Sequence, residues 1–493
     1  MSWLDSLIEW ISPSWGAQRL MERQAIELGY RAGSHTRVGR AMPTAGSADW
    51  QNEVDGRGRV DLLRRARQIE RDSALACALL DRQQENVIGC GHQPQADSGN
   101  ERWNRRAERL FADWADDPAL ADARGIHSFG ELQGLLFRSG QRDGDVGAIK
   151  MGTGHLQAVE GDRIVSPRGH HSTSPGMIDG VELDSLGRPT KYHVGEFGLY
   201  GTLNATKAIP SDEFVFYARR SRLGQTRGIT VFAQTLHHFD QIDSYIEAVI
   251  MSARMAACFG LIIQNNGKFA GLSKDSEGRR RLKLEPAAVL ELKRGETATT
   301  LAPAQHQAQL DTFIKTFARL AGLSFGIPAE IGVLMFDRSN YSNTRASMVQ
   351  AQSTWRCQQR DFQAQFLRNV WRWKIDEFVA RGMIEAHESR YRHTWTGPGW
   401  TWIDPTKEIE SALLAVDAGL DTRTNIMRRQ GREFDDVLRT LKLEADAIER
   451  SDVIIGRSSR TRDVGQTIGQ TEPQPEPEPD QDDEDENALP ADD

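Results

Sequence analysis

Cysteine is scarce in this sequence, and its positions fit neither a metal site nor a disulfide framework. The 493 residues include four cysteines, and no two of them form a Cys-x-x-Cys pair. They lie far apart, at Cys77, Cys90, Cys258 and Cys357. This spacing excludes a zinc ribbon and a dense disulfide lattice. We therefore expect a protein that works in a reducing compartment.

Long apolar runs are also missing. The best one, residues 248–263, is interrupted by Arg254 and falls short of the ~20 residues that a membrane-spanning helix needs. Near the start, Asp5 and Glu9 stand where a secretory signal would carry basic residues, and no small-residue cleavage site follows. We expect a chain without a membrane span or a secretory signal.

Two enzyme motifs that would bind nucleotide or zinc are absent. The Gly267-Lys268 pair is followed by Phe269, so the chain lacks the Gly-x-x-x-x-Gly-Lys-[Ser/Thr] loop of an ATPase. His387-Glu388 is followed by Tyr391 where the zincin motif needs a second histidine. These gaps exclude a P-loop ATPase and a zincin protease.

Three other patterns contain residue types that bind metal ions. The pairs His170-His171 and His237-His238 have no third ligand spaced to join them, and adjacent side chains point to different faces of a helix or strand. The run Asp143-Gly144-Asp145 either binds a cation or forms a turn that enters a strand. We expect no metal and no cofactor.

One match to a catalytic motif occurs at Gly322-Leu323-Ser324-Phe325-Gly326, which fits the Gly-x-Ser-x-Gly nucleophile elbow. The elbow requires a strand before the serine and a helix after it. Here the preceding pattern is helical, and Ile327-Pro328 follows. We interpret the run as the glycine-rich end of a helix, and a serine hydrolase that uses Ser324 is the alternative.

Lysine is scarce too, and the charge is unevenly distributed. Of 61 basic residues only 11 are lysine, so 50 are arginine. Residues 471–493 contain 11 acidic residues and no basic one, and the other 470 residues carry a formal charge of +2 out of a total of -9. Arginine suits phosphate contacts and carboxylate pairing between subunits, but a compositional bias explains the count equally well.

The order of sequence patterns predicts an α+β fold. Apolar residues recur at helical spacing within 61–87 and 103–115, and short alternating runs between 144 and 218 predict hairpins. Long helical patterns then run from Ile229, from just after Pro303, and from the region of Asn343 to about Arg381. Pro405, Gly419, Thr422 and Gly431 are typical start and stop signals of short C-terminal helices, and a helix from Phe434 to Glu449 follows.

Several short motifs, taken in order, point to one family. They are Asp143-Gly144-Asp145-Val146, Gly180-Val181-Glu182-Leu183-Asp184 with Gly187-Arg188-Pro189, Gln225-Thr226-Arg227-Gly228, Gly322 through Pro328, Asp337 through Ala346, and Asp404-Pro405-Thr406-Lys407-Glu408. In the order and spacing of these motifs, the sequence resembles the portal proteins of tailed bacteriophages, lambda family, from Trp3 to about Arg450. The run Asn-Tyr-Ser-x-x-Arg-Ala is the most specific part. Met335-Phe336 departs from the family, which usually has a shorter link containing leucine.

The resemblance implies a portal-type fold, and the helical patterns agree with it. We expect an N-terminal helix and arm (1–47), an α+β wing (48–228), a stem helix (229–258), a small clip insertion (259–303) and a second stem helix (304–322). A tunnel loop, a long helix and a return to the wing follow (323–403), then a helical crown (404–450) and a disordered acidic tail (451–493). The tail composition cannot bury enough apolar surface to fold.

The resemblance also implies a function without catalysis. Portal proteins form a ring, usually a dodecamer, at one capsid vertex, through which a separate terminase motor pumps double-stranded DNA. The implied partners are further copies of the chain, the terminase large subunit, a major capsid or scaffold protein, a head-tail connector protein and DNA bound without sequence preference. The implied location is the virion, with the host cytoplasm during assembly, and no membrane partner is expected.

Two groups of residues are candidates for contacts. The resemblance places Arg338, Asn340, Asn343 and Arg345 in a tunnel loop that faces the DNA. Alternatively, Ser342 or Asn343 caps the long helix, and Arg345 pairs with a carboxylate of a neighbouring subunit. Arg279, Arg280, Arg281 and Lys283 form a basic clip segment for the terminase or the connector. A capsid or scaffold protein that oligomerises without enclosing DNA is a further alternative.

Overall fold

A computed structural model describes residues 54, 56–167, 176–198, 203–258, 262–265, 296–299, 304–332, 334, 341–400 and 405–451. The chain divides into two compact units, one ending at Phe434 and one beginning at Asp435. The expected arm (1–47) and nearly all of the expected tail (451–493) lie outside the described residues, as does most of the expected clip. In the described ranges, we find no helix with the length and apolar character of a membrane span.

Helices and strands are mixed in the first unit, as the α+β prediction requires. Up to residue 218 the helices are α1 (Gly56–Asp72), α2 (Ala74–Val87), α3 (Glu101–Asp116), α4 (Pro118–Ala121) and α5 (Phe129–Asp143). The strands are β1 (Gln93–Ala96), β2 (Asp145–Lys150), β3 (Leu156–Glu160), β4 (Met177–Ile178), β5 (Val181–Leu183), β6 (Pro189–Phe197), β7 (Leu203–Pro210) and β8 (Phe214–Ala218).

Long helices dominate the next part. They are α6 (Leu236–Cys258), α7 (Ala304–Phe325), the short α8 (Ala329–Gly332), α9 (Tyr341–Phe362) and α10 (Arg368–Ala380). Strands β9 (Ile262–Asn265), β10 (Glu296–Thr299) and β11 (His393–Thr396) lie between or after them. The last helices are α11 (Pro405–Asp417), α12 (Arg423–Arg429) and α13 (Phe434–Ser451), which supplies the described residues of the second unit.

A large hydrophobic core joins α1, α2, α3 and α5 to the helices α6 to α10 and to β11. In α3 the apolar residues recur every three or four positions, so one face of that helix is buried. The Phe111 ring lies 5.2–5.9 Å from the rings of Trp114, Phe129, Trp371 and Trp395. Residues almost 300 positions apart therefore hold one core together.

The strands form small antiparallel sheets. β2 lies between β3 and β8, and β4, β5, β6 and β7 pair in sequence order. A second, smaller hydrophobic core contains Tyr192 and Phe214, whose rings stack at 4.5 Å. β1 pairs with β11, so that Gln93 faces Thr396 across the ladder. This last pairing returns the chain after the long helix to its first strand.

Several predicted turns and caps are confirmed. α5 ends at Asp143, Gly144 adopts φ +100°, and β2 follows at once, so the Asp-Gly-Asp run is the turn before a strand. Thr422 accepts a hydrogen bond from the Asn425 backbone and caps α12, and Gly431 has φ +73° just after that helix. Local capping chemistry explains why these boundaries were readable from the sequence.

Two features of the long helices differ from the sequence prediction. The helix expected from Ile229 begins at Leu236, because Thr230 caps a separate 3₁₀ turn, Val231–Gln234. Residues Gln363–Leu367 form a π-helical segment between α9 and α10, which the sequence did not signal. These segments have only four and five residues, which is too short for their spacing of apolar residues to stand out from the α-helical pattern beside them.

Candidate functional site

Two of the four tunnel-loop candidates lie in the described residues. Asn343 and Arg345 belong to the first turns of α9, which begins at Tyr341. Arg338 and Asn340 lie outside the described residues, and so do the clip candidates Arg279, Arg280, Arg281 and Lys283. The channel and clip assignments of all these residues stay predictions.

The start of α9 corrects one expectation about capping. The N-cap precedes the first helical residue, and α9 already begins at Tyr341. Ser342 and Asn343 are therefore inside the first turn, and the alternative that one of them is the N-cap residue is wrong. Serine and asparagine both favour the N-cap, but that preference cannot say which of several adjacent candidates the backbone places first.

Arg345 is exposed and lines an open cavity of about 310 Å³ between α9 and the helices α11 and α12. Arg356 and Arg429 line the same cavity, and Arg429 pairs with Asp421 at 2.8 Å. The Arg356 guanidinium lies 5.3 Å from the centre of the Trp400 ring. Burial lowers the pKa of Arg356, and the nearby Arg429 lowers it further. The region beside the predicted tunnel loop is thus rich in guanidinium groups.

α6 and α7 form a pair of long helices on either side of an inserted segment. The rings of Tyr245 and Phe313 lie 3.9 Å apart, and those of Phe232, just before α6, and Phe325 lie 5.1 Å apart. The chain leaves α6 through β9 and returns to α7 through β10, and these strands pair antiparallel. With 23 and 22 residues, the helices are about 35 and 33 Å long.

Ser324 does not have the surroundings of a nucleophile elbow. It lies in the last turn of α7, and its hydroxyl donates a hydrogen bond to the Ala321 carbonyl at 3.0 Å. Its other hydrogen-bond contact is the Thr235 hydroxyl at 3.4 Å. The strand that should precede a hydrolase serine is replaced by a 22-residue helix. The geometry favours the helix-end interpretation.

Two of the sequence motifs meet in a buried ion pair. Arg227 Nε and Nη2 donate to the two carboxylate oxygens of Asp145 at 2.8 and 2.9 Å. Further bonds from Arg227 reach the carbonyls of Ile164 and Gly161. The Gly228 backbone N–H also donates to Asp145, at 2.8 Å. Both side chains are at most 2% exposed, so these bonds satisfy charges that water cannot reach.

Arg227 is also part of a larger charge cluster. Its guanidinium lies 3.5 Å from the carboxylate of Asp179, which pairs in addition with Arg59 from α1. Burial by itself would raise the pKa of Asp179, but Arg59 and Arg227 hold it below its ordinary value. Burial would likewise lower the pKa of Arg227, and Asp145 and Asp179 raise it instead. Both shifts favour the charged forms of Asp179 and Arg227.

The other aspartate of the Asp-Gly-Asp run is paired as well. Asp143 accepts hydrogen bonds from Arg67 at 2.6 and 3.0 Å and from Arg142 at 2.7 and 2.9 Å. Arg67 also reaches Asp162, and Arg142 reaches Glu70. Arginines thus pair with both carboxylates of the Asp-Gly-Asp run. Within the described ranges, no group of three or more His, Cys, Asp or Glu residues is arranged to hold a metal ion.

Sequence reasoning missed two buried polar residues. Lys374 is 2% exposed, with its ammonium group 4.7 Å from the Trp114 ring and 2.7 Å from the Glu377 carboxylate. His92 is 3% exposed and bridges the Val87 carbonyl and the Gln363 amide. The sequence of α10 indicates the burial of Lys374, because a lysine next to several aromatic residues of a helix can pack its ammonium group on their rings. The contact of His92 with Gln363 spans 271 positions and left no local signal.

Comparison with known proteins gives consistent matches. A family model described as phage portal protein, lambda family, matches residues 35–359. The probable portal protein of Halomonas phage phiHAP-1 is 21% identical over 453 residues, which cover 85% of this chain and 87% of that protein. Portal protein B of Escherichia phage lambda is 19% identical over 437 residues, which cover 76% of this chain and 81% of that protein.

Similar solved structures come from gene transfer agent (GTA) particles. A chain from the virion of a native GTA particle is 12% identical, with a TM-score of 0.45. A chain from the neck of the native particle, computed with C12 symmetry, is 13% identical, with a TM-score of 0.42. Each match covers 76% of this chain and 93% of the other.

Proposed function

This chain belongs to the lambda family of phage portal proteins, and from that premise we propose that it forms a closed ring at one capsid vertex through which double-stranded DNA enters and leaves the capsid. The match of the family model over residues 35–359 is the observation that carries the proposal. The packaging motor is then a separate terminase, and this chain has a structural role in the virion.

The arrangement of the long helices supports a channel wall. α6 and α7 pack side by side, and the segment between them begins and ends with the paired strands β9 and β10. A ring of such helix pairs gives a tube, and the inserted segments project together from one end of it. We assign α6 and α7 to the stem and the segment between them to the clip.

The predicted tunnel loop lies between α8 and α9. We propose that Arg338, Asn340, Asn343 and Arg345 face the channel or its margin. Two arginines and two amides from each subunit would give rings of donors around the duplex. Phosphate contacts supply affinity without sequence information, so such rings suit a polymer that must slide.

The clip is the proposed docking surface for other proteins of packaging. Arg279, Arg280, Arg281 and Lys283 place four positive charges within five residues, which suits contact with acidic surfaces of the terminase large subunit or of the head-tail connector. The remaining proposed partners are a major capsid or scaffold protein and further copies of the chain, with a dodecamer as the expected ring.

The oligomeric mass of the purified full-length chain tests the proposal. We expect light scattering at micromolar concentration to give one large species whose mass is a whole multiple of 55.2 kDa, near twelvefold. A monomer under these conditions would contradict the ring. A large but open or polydisperse assembly would favour a capsid or scaffold protein that encloses no DNA.

A further inference from the structure

Four exposed arginines lie on the consecutive helices α9 and α10, at Arg356, Arg360, Arg368 and Arg372. Residues four apart on a helix share a face, but the eight positions from Arg360 to Arg368 would turn that face by about 80° in a plain α-helix. The π segment Gln363–Leu367 lies between them, and its wider turn removes most of this rotation. The four arginines, here called the arginine stripe, thus lie along one line of about 24 Å.

Within the described part of the chain, no member of the arginine stripe forms an ion pair. Two members rest on aromatic rings instead: Arg356 on Trp400 at 5.3 Å and Arg372 on Tyr391 at 5.6 Å. Burial lowers the pKa of His393, and Arg368 and Arg372 lower it further. Two of the four guanidinium groups thus pack on rings, and all four side chains are exposed.

A line of acidic residues lies on α6. Asp240, Asp243 and Glu247 are exposed and follow the i, i+3, i+7 spacing of one helical face. In the described ranges none of the three pairs with a basic side chain. Burial raises the pKa of Asp243, and Asp240, Glu247 and Asp72 raise it further by repulsion. We call the three residues on α6 the acidic stripe.

The two stripes belong to different flanks of the subunit. α6 packs on α1 and α7, whereas α9 packs on α2 and α8. α2 also packs on α1 and on α7, so α2 and α7 lie between the helices that carry the stripes. In a closed ring each subunit meets its two neighbours through two different surfaces, and these surfaces must be complementary.

We propose that the arginine stripe of one subunit docks against the acidic stripe of the next copy of this chain. Arg356 and Arg360 are four residues apart, as are Asp243 and Glu247, so two ion pairs at a spacing of about 6 Å can form together. A DNA backbone would also attract the arginines. The second copy is favoured because the matching charge is present on the chain itself, with the same spacing and on the other flank.

This proposal rests on the proposed ring, and paired charge reversals in the full-length chain test it. The first variant is Arg356→Glu with Arg360→Glu, the second is Asp243→Arg with Glu247→Arg, and the third combines all four changes. Like charges across an interface oppose association, so we expect each double variant to need at least about tenfold more protein to form rings. The combined variant restores opposite signs and should regain ring formation. Negative-stain images and light scattering report the ring fraction.

A matched control is Arg102→Glu with Arg106→Glu on α3, which changes the same charge at two exposed arginines four residues apart. We expect this variant to form rings as the unmodified chain does, and circular dichroism checks that every variant is folded. Double variants that form normal rings, or a combined variant that stays without rings, would overturn the proposal. Normal rings with weakened binding of a short DNA duplex would instead assign the arginine stripe to phosphate contact. Absence of rings from the unmodified chain would contradict the proposed function itself.

Discussion

At the scale of single residues, the Arg227–Asp145 pair links the start of β2 to the segment before the 3₁₀ turn. Both side chains are buried, and removing one partner would leave an unpaired charge inside the protein. We expect Arg227→Met to lower the free energy of unfolding by about 3–5 kcal/mol, measured by urea denaturation. Arg64→Met removes an exposed pair with Asp61 at 3.8 Å and should cost at most about 1 kcal/mol. Equal effects of the two changes would contradict this assignment.

His92 makes the fold sensitive to acid. Its Nε2–H donates to the Val87 carbonyl at 2.8 Å, and its Nδ1 accepts from the Gln363 amide at 2.9 Å, so the neutral ring is the one that fits. Burial lowers the pKa of His92 to about 4, against the raising effect of the Val87 bond. The unfolded chain takes up this proton near pH 6.5 and the folded chain only near pH 4.

Between these two pH values the unfolded state binds more protons, so the free energy of unfolding falls as the pH falls. We expect His92 to contribute about 3 kcal/mol of stability that is present above pH 6.5 and lost by pH 4. Denaturation curves of the unmodified chain and of His92→Gln across this window isolate the effect, because the variant lacks the titrating ring. Parallel pH profiles of the two proteins would rule out this role.

Arg338 carries the most direct prediction about the channel. If it faces the duplex, neutralising it in every subunit removes a full ring of positive charge without touching the fold. We expect Arg338→Ala to form normal rings with impaired packaging or retention of DNA, measured as DNA protected from nuclease inside assembled heads. Failure to form rings would assign Arg338 to the subunit interface, and packaging at the normal level would exclude a channel role for this residue.

Residue types were readable from the sequence, but their partners were not. The Asp143-Gly144-Asp145 run and Gln225-Thr226-Arg227-Gly228 were both singled out as motifs. That Arg227 pairs with Asp145 could not be predicted, because 82 positions separate them and ion pairing depends on the folded path of the chain. The sequence predicted that Asn343 and Arg345, two candidates for the tunnel loop, lie near the start of a helix, but it did not predict the residue at which that helix begins.

At the scale of elements, a close backbone contact joins these motifs. A Cβ atom added at Gly228 would lie 1.8 Å from the Gly144 carbonyl oxygen. With any other residue at position 228, the end of α5 and the segment before the 3₁₀ turn could not come as close as they do. We expect Gly228→Ala to lower the free energy of unfolding by about 3 kcal/mol. Gly152→Ala adds a methyl group with no atom within 4 Å and should change stability by less than about 0.5 kcal/mol. Thermal or urea unfolding measures the stability of both variants. A loss of stability at Gly228→Ala as small as that at Gly152→Ala would contradict the close backbone contact.

The existence of the elements was predictable, and their pairing was less so. Helical periodicity and capping residues correctly indicated α3, α7, α12 and α13. The antiparallel pairing of β1 with β11 joins short strands that carry no strong pattern and lie far apart in sequence. Contacts of that kind arise from tertiary packing, which a single sequence does not encode in any local window.

At the scale of the whole molecule, two lines of exposed charge of opposite sign are the surfaces through which we propose that neighbouring subunits meet. The arginine stripe and the acidic stripe are both unpaired in the described part of one subunit, and they lie on different flanks. A head-to-tail ring places opposite charges together at every interface and closes on itself when the rotation between subunits divides a full turn. The same ring puts the proposed tunnel loops around one axis.

Negative-stain images of the purified full-length chain test the central claim most directly, because a portal must enclose a hole. We predict class averages that show closed rings of high rotational symmetry with a central hole wide enough for a DNA duplex. Compact particles without a hole, or open filaments, would contradict the assignment of this chain as a DNA channel.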